Sequence, residues 1–240
     1  MNVIMEFKKA KRTGLLPAFL CGGILAAAVP AVNMAARAEL YLTQQGTPVQ
    51  ILLNANWQVM AMLNVLLVVA GTCLLYHTEY ADNAMQKMKS LPIRESSIFF
   101  SKAALLILLS LFVLIIEAGA TVFCSFHWFE AGTDIYTELC NSYGYAFLLM
   151  LPCIILSLLI SAASKNMWVS LGIGVVCVFT ATLLPTDSFL LSLFPFATPF
   201  QIFTGTDTVR VMHYICAVAA ELVIFSLAEL IMIKIRRYFA

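Results

Sequence analysis

His77-Thr78-Glu79-Tyr80-Ala81-Asp82-Asn83-Ala84-Met85-Gln86-Lys87-Met88-Lys89-Ser90-Leu91-Pro92-Ile93-Arg94-Glu95-Ser96-Ser97 is a polar stretch between two long apolar runs. Within it Ala81, Ala84, Met85 and Met88 fall at i, i+3, i+4 and i+7, which gives a short helix one apolar stripe. Glu79, Asp82, Asn83, Lys87 and Lys89 lie mostly off that stripe. Pro92 disfavours helical backbone at Leu91, so the helix should stop near Ser90. Pro92 then suits the first turn of the next helix, where its missing N–H costs nothing. The spacing predicts an amphipathic helix of roughly three turns. Such a helix is too short to stand alone in water and needs a partner or a bilayer surface.

Working outward, the chain has 240 residues, 62% hydrophobic and only 11% charged. A soluble domain is nearer half apolar and a quarter charged. The apolar excess falls into blocks of about 20 residues, the length needed to cross a hydrocarbon core of ~30 Å. The expected class is therefore an all-α membrane protein, with residues 1–240 a single transmembrane domain. A net charge of +1 gives no global field for nucleic acid. There is no G-x-x-x-x-G-K-[ST], H-E-x-x-H or G-x-S-x-G, so no motif for binding and hydrolysing a nucleotide, or for a catalytic zinc or serine, is present. None of the seven cysteines forms a C-x-x-C pair. Cys124 and Cys140 are the pair that an outside disulfide would join.

Met1-Asn2-Val3-Ile4-Met5-Glu6-Phe7-Lys8-Lys9-Ala10-Lys11-Arg12 places Val3, Ile4 and Phe7 on one helical face, with cations clustered after them. This reads as an interfacial helix on an anionic leaflet. The apolar stretch that follows is longer than the 7–15 residues of a signal-peptide core, so it is kept as a first span. Spans are expected at about 15–36, 56–76, 98–123, 143–163, 167–184 and 211–233. Residues 37–55 read as a polar connector, with Trp57 an interfacial anchor after it. Pro152 should kink the fourth span, and Gly172 and Gly174 offer close approach in the fifth. Residues 185–209, rich in Pro and Phe, are too apolar for a free loop and too broken for a span, and should dip into the outer interface.

Six spans put both termini on one side. Twelve of the fourteen Lys and Arg residues fall on that side, so the positive-inside rule places the termini and the 77–97 stretch in the cytoplasm. Among acids near spans, Glu117 and Glu229 sit toward span ends, within reach of an interface, while Glu221 falls near mid-bilayer. An ionisable group at that depth is a functional candidate, for a substrate path or for subunit pairing. The histidines are too scattered for a metal site. Met85 and Met88, flexible thioethers on a short exposed helix, suit an adaptable docking surface.

Glu79, then Met88-Lys89-Ser90-Leu91-Pro92-Ile93, then Ser101-Lys102 together resemble the first cytoplasmic loop of permeases of the ABC type 2 exporter class. Glu6-Phe7-Lys8-Lys9-Ala10-Lys11-Arg12-Thr13 leading into the first span resembles the lantibiotic-immunity branch, the MutE/EpiE or MutG type. The resemblance implies two permeases, alike or different, working with a separate ABC ATPase in a bacterial plasma membrane. It implies that ATP and Mg are held by that ATPase, with no cofactor on this chain. It implies docking of the ATPase by the loop helix, through Glu79, Ala81, Ala84, Met85, Met88, Lys89, Leu91 and Pro92. The cargo it implies is a cationic lanthionine peptide, cleared from the membrane in self-protection.

Other readings compete. The same machinery could export another hydrophobic or lipid-like substrate. A proton-coupled secondary transporter could use Glu221. An intramembrane protease of the bacteriocin-immunity type needs paired glutamates, and Glu-Glu does not occur.

Overall fold

The apolar runs fold as long helices. The computed structural model describes residues 3–11, 13–80, 95–129, 132, 134–164, 166–185 and 188–238, and among these no strand forms. In chain order the elements are α1 (Val3–Ala10), α2 (Leu15–Leu42), α3 (Pro48–Tyr80), α4 (Glu95–Trp128), α5 (Ile135–Ala163), α6 (Met167–Leu183), the one-turn α7 (Phe189–Ser192), a 3-10 turn at Thr198–Phe200, and α8 (Thr208–Tyr238). Five of them, α2, α3, α4, α5 and α8, are long and apolar enough to cross a membrane. The remaining apolar helix, α6, has 17 residues.

The helices overrun the predicted spans, and polar residues at their ends find partners on neighbouring helices. Residues 37–55 were expected as a connector, but only 43–47 lie between helices. Helix α2 breaks at Arg37 (φ −145°, ψ 39°), where the first span was expected to end, and then runs on to Leu42. Thr47 starts α3: its hydroxyl accepts from the Gln50 N–H at 3.3 Å and donates to Glu138 of α5 at 2.6 Å. Pro48 fills the first helical position, where no N–H is needed. Asn56 accepts from Asn33 of α2 at 2.8 Å and donates to the Leu52 carbonyl at 2.9 Å. Helix α5 begins eight residues before the predicted fourth span and continues through Pro152 without a break in its assignment.

Helix α3 is the hub, packed against α2, α4, α5, α6 and the 3-10 turn. A Cβ at Gly174 of α6 would lie 2.3 Å from Val69 Cγ1, so glycine is what lets α6 approach α3 this closely. Gly172 faces open space instead and has no such role. Trp57 also departs from expectation. It is buried rather than an interfacial anchor, its ring meets Tyr143 edge-on at 6.0 Å, and its Nε1 donates to the Pro199 carbonyl at 3.0 Å. The Pro/Phe-rich segment after α6 folds back onto the bundle, burying Phe196, Ala197, Thr198 and Phe200. Thr198 Oγ1 secures it by donating to the Leu149 carbonyl at 3.1 Å. Cys124 and Cys140 are both free thiols: Cys124 is buried beside Met34 and Leu52, whereas Cys140 is exposed.

Candidate functional site

Of the docking residues read from sequence, Glu79 lies in the last turn of α3. Ala81, Ala84, Met85, Met88, Lys89, Leu91 and Pro92 lie outside the described residues. What the structure does describe is how the two helices flanking that segment are held. Lys102, on the third turn of α4, is only 1% exposed. Its Nζ donates to the Leu75 carbonyl of α3 at 3.0 Å, lies 3.6 Å from Glu6 Oε2 of α1, and sits over the Tyr76 ring at 5.0 Å from its centre. Glu6 is equally buried and also pairs with Lys9 at 3.0 Å. One ammonium therefore ties α1, the end of α3 and the start of α4 together. Gly14, left-handed at φ 75°, turns the chain between α1 and α2 so that α1 can reach α4.

A second polar group lies deep among α3, α4 and α5. Glu117 was expected near an interface, but α4 extends to Trp128, which carries Glu117 about 16 Å from the helix end. It is fully buried and accepts from Asn64 Nδ2 of α3 at 3.2 Å. No cation reaches it among the described contacts. Glu117 Oε1 and Asn64 Oδ1 are the atoms of the pair left without a partner. One turn on, Thr121 shares a hydrogen bond of 2.7 Å with Tyr143 of α5, and its hydroxyl lies 3.0 Å from the Glu117 carbonyl. Glu229, also expected within reach of an interface, is buried on α8 as well.

Glu221 lies at the middle of α8, as its position in the sequence implied, with Oε2 buried and without a hydrogen-bond partner. Arg210, 11 residues earlier, is about 16 Å away along the helix. It instead lines a cavity of about 530 Å³ with Asn54, Gln58, Gln201, Thr204 and Thr206, between α3 and the folded-back segment. The structure thus keeps three polar sites apart: the Lys102 node, the Glu117 pair and the Arg210 cavity. Sequence reading singled out neither Glu6 nor Lys102 as a site. The available signal was a lysine four residues past the start of the apolar run at Ile98, which must find a partner.

Span-length helices packed around buried, internally partnered polar side chains define a multi-pass membrane protein. The ABC-2 family transporter protein model matches residues 3–181, and the chain belongs to that family, the membrane permeases of ABC transporters. Membership implies an ABC ATPase as partner, with ATP hydrolysis on that separate subunit, and a second permease. No curated protein and no solved structure matches the chain. The matched region takes in α1 to all but the end of α6, including Glu6, Lys102 and Glu117, and leaves out the folded-back segment and α8 with Glu221.

Proposed function

We propose that this chain is the permease subunit of an ATP-driven exporter in a bacterial plasma membrane, with six spans, both termini cytoplasmic and residues 1–240 forming one transmembrane domain. Its cargo is a lantibiotic or a similar cationic antimicrobial peptide, cleared from the membrane for self-protection. ATP and Mg bind the partner ATPase and no cofactor binds this chain. The ATPase docks on the helix around Glu79, Ala81, Ala84, Met85, Met88, Lys89, Leu91 and Pro92, with Met85, Met88 and Leu91 as apolar contacts and Glu79 and Pro92 orienting the helix. The observation that supports this reading is the Lys102 node at the roots of that segment. A buried tie among α1, α3 and α4 lets force applied between Tyr80 and Glu95 move those helices together rather than be lost in the connection.

The peptide cargo rests on the resemblance of residues 6–13 to the immunity branch. Another hydrophobic or lipid-like cargo is the second reading. It is favoured by the Arg210 cavity, whose lining among the described residues carries a cation and no carboxylate to receive a cationic peptide. Proton coupling through Glu221 has only that residue's unpartnered oxygen behind it. Reconstituting the permease with its ATPase and measuring ATP hydrolysis separates these. Stimulation by a lanthionine peptide is the expected result. Stimulation by lipid-like compounds alone would transfer the proposal to the second reading, and transport driven by a proton gradient without ATP would transfer it to the third.

A further inference from the structure

A groove of about 740 Å³ runs along the bundle where α1 packs on α4 beside α2. Its walls are apolar, among them Phe7 of α1, Leu20 of α2, and Leu105, Leu108 and Phe112 of α4. Lys11, in the turn between α1 and α2, is the only charged or polar side chain in the lining among the described residues. Leu105 to Phe112 covers about 10 Å along α4, and both α2 and α4 are long and apolar enough to span a bilayer. The groove therefore leads from the level of α1 into the hydrocarbon, with a cation at one end. Leu20, Leu108 and Phe112 are exposed along it, so the surface is open to whatever surrounds the bundle. Lys8 is exposed nearby on α1, and Lys11 is exposed at the mouth.

An apolar shaft capped by an ammonium complements a long acyl chain beneath an anionic head. A second copy of this chain would bury that ammonium against apolar helix at a cost. A zwitterionic lipid offers the same chain but less charge for Lys11 to meet. We propose that the groove binds one acyl chain of an anionic glycerophospholipid from the leaflet on the side of α1, with its phosphate at Lys11. The site needs the chain to lie in a bilayer, but neither an ATPase nor a peptide cargo, so its failure and theirs are separable.

The test is native mass spectrometry of the full-length chain titrated with phosphatidylglycerol and with phosphatidylcholine of the same acyl chains. One phosphatidylglycerol retained per chain, in preference to phosphatidylcholine, is expected. Lys11→Ala should lower that preference roughly fivefold, the effect of one cation near an anionic surface. Leu108→Trp, at an exposed wall position, should reduce retention of both lipids while leaving the melting temperature unchanged. Equal retention of the two lipids, a preference untouched by Lys11→Ala, or a homodimer in which the groove excludes lipid would each overturn the proposal.

Discussion

Glu6 and Glu117 are both buried acids with a partner on another helix, yet they are held differently. Glu6 lies between two ammonium groups, one of which also binds the α3 backbone at Leu75. Glu117 has an amide for its partner and one oxygen idle. The contrast teaches that burial alone does not set an acid's role in this bundle. At the α1 end the carboxyl group sits among ammonium groups that fasten three elements. In the middle of the bundle the acid meets a single neutral amide.

The largest expected effect comes from breaking the charged site. Lys102→Met leaves Glu6 buried with Lys9 alone among its described ion-pair partners, and removing one member of a buried pair costs about 3–5 kcal/mol. Glu6→Gln combined with Lys102→Met should cost less than the sum of the two single changes. Chemical denaturation in detergent, run as a double-mutant cycle, reads the coupling. Additive losses would mean that the pair contributes nothing as a pair.

Glu117 should respond on a smaller scale and with a different pattern. Glu117→Ala strands the Asn64 amide and should cost about 1–3 kcal/mol, whereas Glu117→Gln, which keeps an oxygen for that amide to donate to, should stay within about 1 kcal/mol of the parent. Equal damage from Glu117→Gln and Glu6→Gln in the same denaturation assay would erase the distinction between the two sites.

Helix α3 is the shared reference for both acids, with Val69 between Asn64 and Leu75. Gly174→Ala drives a methyl into Val69 and should destabilise by about 1–3 kcal/mol. Gly172→Ala, in open space on the same helix, should be neutral or stabilising by up to ~1 kcal/mol. Thermal melts of the two variants that coincide would show that α6 does not fix α3. A further small effect is expected at the other end of α3. Trp57→Phe loses the hydrogen bond to the Pro199 carbonyl while keeping an aromatic ring against Tyr143, a change of about 1 kcal/mol readable in the same melts.

Much of this arrangement was legible in the sequence, for physical reasons that also explain the rest. Apolar runs long enough to cross a bilayer announce themselves, so each predicted span has a helix, although α6 is shorter than a typical span. Helix ends were hidden because Thr47 and Glu138 read as connector polarity until their hydrogen bond to each other is known. Trp57 at the end of an apolar run looks like a belt residue, and only the folded-back Pro199 reveals it as a clamp. Residues 185–209 were read correctly as apolar and broken, since Pro and Phe leave few other options. Glu221 sits where simple counting along α8 puts it. Glu117 was misjudged because the face of α4 on which it lies, and the true end of that helix, depend on α3 and α5.

The central claim is that an ATPase docks on the segment between α3 and α4, whose roots the Lys102 node secures. Its most direct test replaces Met85 and Met88 together with Asp in the tagged permease and measures recovery of the partner ATPase on purification, beside membrane level and resistance to the peptide. A buried anchor in a small docking surface often contributes about 1–3 kcal/mol or more, so losing two should release the ATPase and abolish resistance while the permease stays inserted and folded. Full recovery of the ATPase with full resistance would contradict the account.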